Sequence, residues 1–286
     1  LNRRIKTMAK VIAEIGINHN GQMHLAKQLI EVAARCKADY AKFQRRTVPI
    51  VYAGQLDKPR DDGNHYGWET VGEQKAGLEF SLEQYEEIDE HCSRVGIDWF
   101  CSCWDIPVLK ETHALFDLPF VKVASAMVTH DEFIEEVASL GLPTIMSTGG
   151  CTMTQIDKAM DALKRGAPEI ILMHCVAMYP CPDNYLDLNM LHILRERYPY
   201  ATIGYSGHEV GIYPSVMAAA MGAKYIERHL TIDRSMYGSD QAASMEERGM
   251  QQLCDVVHDV EMILGTGIKR VHAKERDCML KLRYWE

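Results

Sequence analysis

The 286-residue sequence predicts a single-domain α/β protein of the (β/α)8-barrel, or TIM-barrel, class. Eight short apolar runs alternate along the chain with longer amphipathic segments. Several of these runs are apolar without alternation, which is typical of strands buried on both faces of a parallel sheet. Eight strands that alternate with helices favour a closed right-handed barrel over an open sheet, and such barrels commonly occupy about 250 residues as one unit.

The predicted elements follow from these runs and from helix-start signals. Strands are expected at residues 11–15, 40–44, 98–101, 121–124, 144–147, 170–174, 202–206 and 225–229. Helices are expected at residues 25–35, 81–95, 129–141, 153–164, 188–197, 214–221 and 244–264. Ser81 with Gln84, and Thr152 with Gln155, have the spacing of capping boxes at two of these helix starts.

The same pattern sets the expected domain boundaries. Residues 1–9 are expected to form an N-terminal leader, residues 10–270 the barrel, and residues 271–286 a C-terminal tail. The connection from 47 to 80 is much longer than the others. A loop of this length in a compact barrel is usually functional or a lid.

Composition and charge argue against several classes of protein. The net charge of −9 argues against a broad nucleic-acid-binding surface. No apolar run approaches the roughly 18 residues that a membrane span needs, and no long apolar segment follows the basic start, so neither a membrane protein nor a signal peptide is expected. The nine scattered cysteines include no CxxC pair, which indicates reduced thiols and a cytoplasmic location. Cys175, at a strand end, is expected to be a small buried thiol.

Polar side chains follow every predicted strand, and barrel active sites are built at the C-terminal ends of strands. Two lysines and three serines at these ends form a set of cationic and hydroxyl donors: Lys42, Lys122, Ser125, Ser147 and Ser206. With the backbone of residues 148–150, they suit a phosphate and a carboxylate on one small ligand. The alternative is that each lysine reaches solvent and each serine pairs with the backbone, which is less expected for the whole set on successive strands.

Three further strand-end residues can carry chemistry. His208 and His229 end neighbouring strands and are a candidate divalent-metal pair with open positions for substrate and water; the alternative is two ordinary histidines. Glu14 is a candidate general acid or base, or an orienting group for a metal-bound water. The alternative for Glu14 is a salt bridge to Lys42 or Arg228, because a lone buried carboxylate is costly.

Eight segments, in order along nearly the whole chain, resemble the N-acetylneuraminate (sialic acid) synthase family. They are residues 13–21 (AEIGINHNG), 42–44 (KFQ), 122–125 (KVAS), 147–149 (STG), 174–175 with 179–180 (HC and YP), 204–208 (GYSGH), 226–229 (IERH) and 238–240 (GSD). One segment alone would be weak evidence, whereas eight in order, mostly at strand ends, are specific.

The resemblance implies a metal-dependent condensation of phosphoenolpyruvate with the open-chain aldehyde of an N-acetylmannosamine-like aldose. The products would be phosphate and a nine-carbon 2-keto acid of the sialic acid type. It implies that His208 and His229 bind the metal, manganese or magnesium. It implies Glu14, Lys42, Lys122 and Asp240 as catalytic residues, and Asn18, Gln44, Ser125, Ser147, Tyr179, Ser206 and Glu227 as substrate-binding residues.

Three departures from the family concern the sugar side of the site. Family members usually carry a C-terminal antifreeze-protein-like domain whose arginine contacts the sugar's acyl-amino group, and a catalytic barrel without that domain is expected here. Arg60, His65 and Trp68 of the long loop are candidate replacements for that arginine. Residues 176–178 (VAM) stand where polar residues are usual, and the segment 102–105 (SCWD) is one residue shorter than its family counterpart.

Other functions stay open on these grounds. The enzyme could be a related phosphoenolpyruvate–aldose synthase that makes a legionaminic-, pseudaminic- or octulosonate-type acid. It could also be a non-catalytic sugar-binding barrel, or a metal-dependent hydrolase on the same fold, which would need more ligands than two histidines. The resemblance further implies a homodimer, with small-molecule substrates and neither nucleic acid nor membrane as a partner.

Overall fold

A computed structural model describes residues 9–60 and 66–285. Within these residues, eight parallel strands form one closed barrel in chain order, with the last strand paired to the first. The strands are β1 (Lys10–Gly16), β2 (Tyr40–Arg45), β3 (Asp98–Cys103), β4 (Val121–Val123), β5 (Thr144–Ser147), β6 (Ile170–Cys175), β7 (Thr202–Gly207) and β8 (Tyr225–His229). The predicted fold class is confirmed, and every predicted strand is present within two residues of its expected bounds.

Helices surround this barrel. In the described part of the chain they are α1 (Met23–Arg35), α2 (Val48–Val51), α3 (Val71–Leu78), α4 (Leu82–Val95), α5 (Ile106–Leu115), α6 (Asp131–Ser139), α7 (Met153–Leu163), α8 (Met190–Arg197), α9 (Tyr213–Ala220), α10 (Glu247–Leu264) and α11 (Ala273–Leu282). The seven predicted helices are all present, and both predicted capping boxes form. Helix α5 was not predicted; Asp105 caps its first turn by accepting from the Val108 backbone N–H at 2.9 Å.

Inward-facing side chains change from aromatic to polar along several strands. At the N-terminal ends of the strands four aromatic rings pack edge to face: Tyr40, Phe100, Phe120 and Tyr225, with ring centroids 5.3–5.9 Å apart. Because side chains on one face of a strand repeat every two residues, the next inward positions are polar. The aromatic layer therefore fills the lower barrel and leaves the polar positions at its C-terminal end.

The connection over residues 47–80 is not one continuous loop, and that prediction was wrong over α2 and α3. Helix α3 begins with a capping box between Thr70 and Glu73, a short-range signal that holds even a helix of eight residues. The segment packs tightly on the barrel. A Cβ on Gly77 would lie 2.6 Å from the Trp68 indole, and a Cβ on Gly21 would lie 1.8 Å from the Gly77 carbonyl oxygen.

The predicted tail at 271–286 contains a helix, α11, that has no buried residue. Its apolar side chains, such as Leu280 and Leu282, are exposed. No helix in the described residues is both long and apolar enough to cross a membrane.

Candidate active site

A cavity of about 310 Å³ opens at the C-terminal end of the barrel. Eleven of the thirteen residues predicted for the site line it: Glu14, Lys42, Gln44, Lys122, Ser125, Ser147, Tyr179, Ser206, His208, Glu227 and His229. The two-residue period of the strands explains the convergence, since Lys42 and Gln44 share one face of β2. Strand register brings the ends together, because Glu14 is level with Lys42 on one side and with His229 on the other.

Four buried charged side chains of alternating sign form a line in this cavity. Lys42 Nζ lies 2.8 Å from Glu14 Oε2 and 3.4 Å from Glu227 Oε1. Lys122 Nζ lies 3.9 Å from Glu227 Oε2. Gln44 Nε2 donates to the second Glu14 oxygen, Oε1, at 2.8 Å. Of the two partners considered from the sequence, Glu14 therefore pairs with Lys42 and not with Arg228.

Burial and neighbouring charges separate the pKa values of these groups. Burial raises the pKa of Glu14 to about 7, against the opposing effect of Lys42. Burial also acts to raise the pKa of Glu227, but Lys122 and Lys42 outweigh it and lower that pKa to about 2. Burial lowers the pKa of Lys122, whereas Glu14 and Glu227 outweigh burial and raise the pKa of Lys42. Two carboxyl groups with separated pKa values, one of them near neutrality, are typical of acid–base sites.

Serine hydroxyls surround the two lysines. Lys42 Nζ donates to Ser102 Oγ at 3.2 Å, and Lys122 Nζ donates to Ser147 Oγ at 2.6 Å. The Gly149 backbone N–H donates to Ser125 Oγ at 2.9 Å, so the turn after β5 is tied to the end of β4. Two ammonium groups fixed among hydroxyls at the base of a cavity are donors of the kind that bind carboxylates and phosphates.

His208 and His229 lie side by side, with ring centroids 5.4 Å apart. The Nδ1 atom of His208 lies 2.8 Å from the Val176 carbonyl oxygen, which can only accept, so Nδ1 carries the proton and Nε2 keeps its lone pair. Burial, together with His229, lowers the pKa of His208 to about 4, and burial lowers the pKa of His229. Both imidazoles are therefore neutral at pH 7, which is the form that binds metals.

The residues fit a divalent cation only in part. Among the residues that the structure describes, no group of three or more His, Cys, Asp or Glu side chains converges as a metal site. His229 Nδ1 is nevertheless buried without a hydrogen-bond partner in the described chain, 3.7 Å from Asp240 Oδ2. Two neutral imidazoles and a nearby carboxylate are a donor set that suits a divalent transition metal such as manganese better than magnesium, once substrate or water supplies further oxygens.

Tyr179 closes one side of the cavity mouth. Its side chain is half-exposed, and its ring centroid lies 4.0 Å from that of His208 and 5.9 Å from that of His229. Tyr179 comes from the loop after β6 and precedes a cis proline, Pro180. An aromatic ring beside the two imidazoles offers an apolar face to a ligand that enters the mouth.

Asn18 and Asp240 are the two predicted site residues outside the cavity lining. The Asn18 amide donates to the Leu230 carbonyl oxygen and to Ser244 Oγ, both at 2.8 Å. The amide nitrogen of Asn18 thus braces the loop after β8, and its predicted substrate-binding role stays a prediction. Asp240 belongs to that loop and lies beside His229.

Seven lining residues lie outside the predicted set, and three of them carry side chains able to form polar or aromatic contacts: Ser102, Trp104 and Cys175. Ser102 shares the inward face of β3 with Phe100, a signal that was present in the strand period. Trp104 Nε1 is buried without a hydrogen-bond partner in the described residues, and the Arg46 guanidinium lies over its ring at 5.1 Å. Cys175 is buried, and burial raises its pKa to about 11, so the thiol is neutral at pH 7.

Arg60 and Trp68 of the 47–80 connection, which were proposed to replace the family's sugar-binding arginine, do not line the first cavity. Arg60 lines a second cavity, and Trp68 stacks on Tyr66 with ring centroids 4.6 Å apart. His65 falls outside the described residues.

Comparison with known proteins identifies the family. The model of the NeuB family matches residues 29–269. The chain is 36% identical over 273 residues to the human N-acetylneuraminate-9-phosphate synthase (Homo sapiens), covering 95% of this chain and 76% of that protein. It is 32% identical to an N,N'-diacetyllegionaminic acid synthase of Campylobacter jejuni, covering 93% and 80% of the two chains.

A solved structure, that of the N-acetylneuraminic acid synthetase from Leptospira borgpetersenii, superposes with a TM-score of 0.82 at 28% identity and covers 97% of this chain and 92% of its own. A truncated 3-deoxy-D-arabino-heptulosonate 7-phosphate synthase from Thermotoga maritima, at 13% identity and a TM-score of 0.67, shares the fold. The chain belongs to the NeuB family and is an enzyme, a sugar acid synthase.

Proposed function

We propose that this enzyme condenses phosphoenolpyruvate with the open-chain aldehyde of an N-acetylmannosamine-like aldose. Carbon 3 of phosphoenolpyruvate forms the new bond to the aldehyde carbon, and water adds at carbon 2. The carbon–oxygen bond to phosphate then breaks. The products are inorganic phosphate and a 2-keto acid of the sialic acid type, so that atoms and charge balance.

The alternating line of buried charges is the single observation that carries this proposal. Lys42 and Lys122 lie among Ser102, Ser147 and Ser206 at the base of the cavity. With Glu14 protonated, the four-residue line carries a net positive charge. It can therefore accept the carboxylate and phosphate of phosphoenolpyruvate with little rearrangement.

Glu14 is the candidate acid–base residue. Its pKa of about 7 lets the protonated carboxyl group give its proton to a reacting oxygen and, once ionised, take a proton from the attacking water near neutral pH. Its orientation is set by Gln44 on one oxygen and Lys42 on the other. Glu227, with its pKa held at about 2, stays ionised and keeps Lys42 and Lys122 protonated.

We include a divalent metal, manganese or magnesium, in the proposal. His208 and His229 would hold it, with Asp240 close by. When bound, such a metal supplies a Lewis acid for the aldehyde oxygen. The Val176 carbonyl oxygen accepts a hydrogen bond from His208 Nδ1. This bond fixes the orientation of the imidazole ring that would bind the metal.

The acceptor is the less determined substrate. Relatives of similar identity carry different names: N-acetylneuraminate-9-phosphate synthase at 36%, N,N'-diacetyllegionaminic acid synthase at 32% and pseudaminic acid synthase at 29%. A synthase for a legionaminic- or pseudaminic-type acid is therefore the second candidate. Both candidates share the phosphoenolpyruvate side and differ in the aldose.

The test is a coupled assay on the purified protein. Phosphoenolpyruvate, Mn²⁺ and a panel of aldoses, N-acetylmannosamine first, are incubated while phosphate release and the mass of the 2-keto acid are followed. We expect release that depends on the aldose and that EDTA or His208→Ala abolishes. Release without any aldose would instead indicate hydrolysis and contradict the proposal.

By the same resemblance we propose a homodimer, and from the scattered cysteines we propose a cytoplasmic location. Light scattering coupled to gel filtration measures the oligomeric state, and a mass of one chain across micromolar concentrations would contradict the homodimer. Fractionation of the cells that express the chain tests the proposed location.

A further inference from the structure

The guanidinium of Arg46 is linked to the candidate acid–base residue by one side chain, and the proposed reaction does not yet use it. Arg46 follows β2 and is 7% exposed. It does not line the first cavity, whereas Gln44, two residues earlier, does. Arg46 Nη2 donates to Gln44 Oε1 at 2.5 Å, and Gln44 Nε2 donates to Glu14 Oε1 at 2.8 Å. A single amide group therefore connects Arg46 to Glu14.

The two hydrogen bonds fix which way the Gln44 amide faces. A guanidinium can only donate, so it requires the amide oxygen on its own side. The amide nitrogen must then face Glu14, where a carboxyl oxygen accepts from it. The reverse orientation would place the Gln44 oxygen against the Glu14 carboxylate, which leaves two acceptors without a donor when Glu14 is ionised. Arg46 thus selects the amide orientation that suits Glu14 in both its ionised and its protonated form.

Three other segments hold Arg46 in place. Just after α3, Glu79 Oε1 lies 3.0 Å from Arg46 Nε, and Glu79 Oε2 accepts from the Arg46 backbone N–H at 3.0 Å. Just after α2, the Tyr52 hydroxyl accepts from Arg46 Nη1 at 3.2 Å. After β3, the Trp104 ring lies under the guanidinium, 5.1 Å from its carbon. A planar donor that is bonded and stacked on several sides has few orientations left, so it can fix the group that it contacts.

The neighbouring Arg45 is equally buried but has different contacts. It is also 7% exposed, and its guanidinium lies over the Tyr85 ring, 5.1 Å from the centroid. It donates to Thr112 Oγ1 at 2.8 Å and pairs with Glu111, and both of these residues belong to α5. None of these partners lines the first cavity. Arg45 therefore holds α5 against the barrel, whereas Arg46 contacts a side chain of the cavity.

We propose that Arg46 is a positioning residue for the reaction: it holds the Gln44 amide in the orientation that donates to Glu14. This inference rests on the proposed function, in which Glu14 transfers protons. With Oε1 bonded to Gln44, the plane of the Glu14 carboxyl group is fixed. The other oxygen, Oε2, has no hydrogen-bond partner among the described residues and stays available for the transferred proton. Because Glu79 and Tyr52 belong to the long connection after β2, the folding of that connection supports the acid–base residue.

The experiment measures kcat and both KM values for the full chain and its variants Arg46→Met, Arg46→Lys and Gln44→Leu. Arg46→Met should lower kcat about 10- to 100-fold, the loss expected for one hydrogen bond to a charged group, with KM for phosphoenolpyruvate changed less than about twofold. Arg46→Lys still donates to the amide oxygen and should restore most of kcat. The matched control is Arg45→Met, which should lower the free energy of unfolding and leave kcat unchanged.

A double variant, Arg46→Met with Gln44→Leu, separates action through the amide from direct action. If Arg46 acts through Gln44, the double variant has the kcat of Gln44→Leu alone, because no amide is left to orient. Losses that multiply would overturn the inference. A kcat of Arg46→Met within about twofold of the wild type would overturn it as well. A rise in KM for phosphoenolpyruvate at constant kcat would also do so, because it would assign Arg46 to anion binding.

A spectroscopic measurement makes the test independent of turnover. In protein labelled with nitrogen-15 in its glutamine side chains, the Gln44 amide signal is identified by its absence in Gln44→Leu. We expect these amide protons to exchange with water about tenfold more slowly in the wild type and in Arg46→Lys than in Arg46→Met. Equal exchange rates in all three proteins would overturn the inference. Turnover with none of the aldoses, together with the expected exchange rates, would count against the proposed function alone.

Discussion

Each end of the barrel carries a carboxylate with a lysine partner, the partly buried Asp39 at one end and the buried Glu14 at the other, and the two are satisfied in opposite ways. At the N-terminal end, Asp39 accepts hydrogen bonds from Lys10 Nζ at 2.5 Å and from the Val11 backbone N–H at 2.8 Å, and it contacts His258 Nε2 at 3.1 Å. These partners outweigh burial and lower the pKa of Asp39. At the C-terminal end, burial dominates and raises the pKa of Glu14 to about 7. A carboxylate with several hydrogen-bond donors stabilises the fold, whereas a carboxylate whose pKa lies near 7 can take up and release protons.

A third carboxylate, Glu209, lies on the outside of the barrel and, like Asp39, accepts several hydrogen bonds. Glu209 accepts from Arg228 Nη1 at 2.8 Å, from Tyr205 Oη at 2.8 Å and from Ser215 Oγ at 2.7 Å. Both partners of the ion pair are almost fully buried. In the cavity, by contrast, Glu14 Oε2 has no hydrogen-bond partner among the described residues and only an ion pair. Incomplete hydrogen bonding thus separates the candidate site from the buried charges that hold the fold together.

The largest expected effect is on catalysis, with Glu14→Gln. The amide keeps the volume of the side chain but cannot take up and return a proton, so kcat should fall about 10²- to 10⁴-fold. The free energy of unfolding should stay level or rise, because a neutral amide costs less to bury than a carboxylate and Lys42 keeps its ion pair with Glu227. Phosphate release and urea unfolding measure the two quantities. A kcat within tenfold of the wild type would contradict the role assigned to Glu14.

The next effect is on stability, with Glu209→Gln. The substitution leaves the Arg228 guanidinium buried without its carboxylate, and the free energy of unfolding should fall by about 3–5 kcal/mol. The control is Glu135→Gln, which removes an exposed ion pair to Arg165 and should cost about 0–1 kcal/mol. Urea unfolding at pH 7 measures both. Equal losses for the two variants would show that burial of the Arg228 pair adds nothing.

A smaller effect, with a distinct pH dependence, is expected for Asp39→Asn. At pH 6 the variant should lose about 1–3 kcal/mol, because hydrogen bonds to an ionised group are replaced by weaker ones. The pKa of Asp39 is lowered in the folded state, so its contribution is present above its ordinary pKa of about 4 and disappears as the pH falls through the folded value.

The measurement is the difference in unfolding free energy between wild type and Asp39→Asn from pH 6 to pH 3. The difference should shrink toward pH 3, as Lys10 and His258 lose their anionic partner in the wild type as well. A constant difference across this range would contradict the assignment of the lowered pKa to Asp39.

The barrel could be predicted from sequence because its signals are short-range. Each strand is a short apolar run, and eight runs leave few topologies open. The two capping boxes predicted the starts of helices α4 and α7 to within one residue. Helix α5 was missed because the residues 102–105 were interpreted only as a site segment, although Asp105 is also a helix cap. Helix α2 was missed because four residues are too few for a helical period. Helix α3 was missed because it buries only Gln74 and Leu78 and so shows no apolar stripe.

The site could be predicted only where the strand period dictates it. Lys42, Lys122 and Glu227 face inward on β2, β4 and β8, so their convergence follows from the fold. Asn18 and Arg46 could not be placed in this way. Asn18 is bonded to residues more than 200 positions away, and Arg46 meets the end of α3 only through tertiary packing. No local pattern encodes contacts between loops.

The smallest effect tests the loop-borne side of the mouth against its strand-borne base, with Tyr179→Ala. The Tyr179 ring is half-exposed beside His208, so its loss should remove an apolar contact to the aldose and leave the buried charges in place. We expect KM for the aldose to rise about 3- to 10-fold, the value of one aromatic contact, with KM for phosphoenolpyruvate changed less than twofold. Tyr179→Phe is the control, because it keeps the ring and removes only the hydroxyl, and it should lie close to the wild type. Equal increases in both KM values would mean that Tyr179 supports the whole cavity, and the division between a strand-built anion side and a loop-built sugar side would then fail.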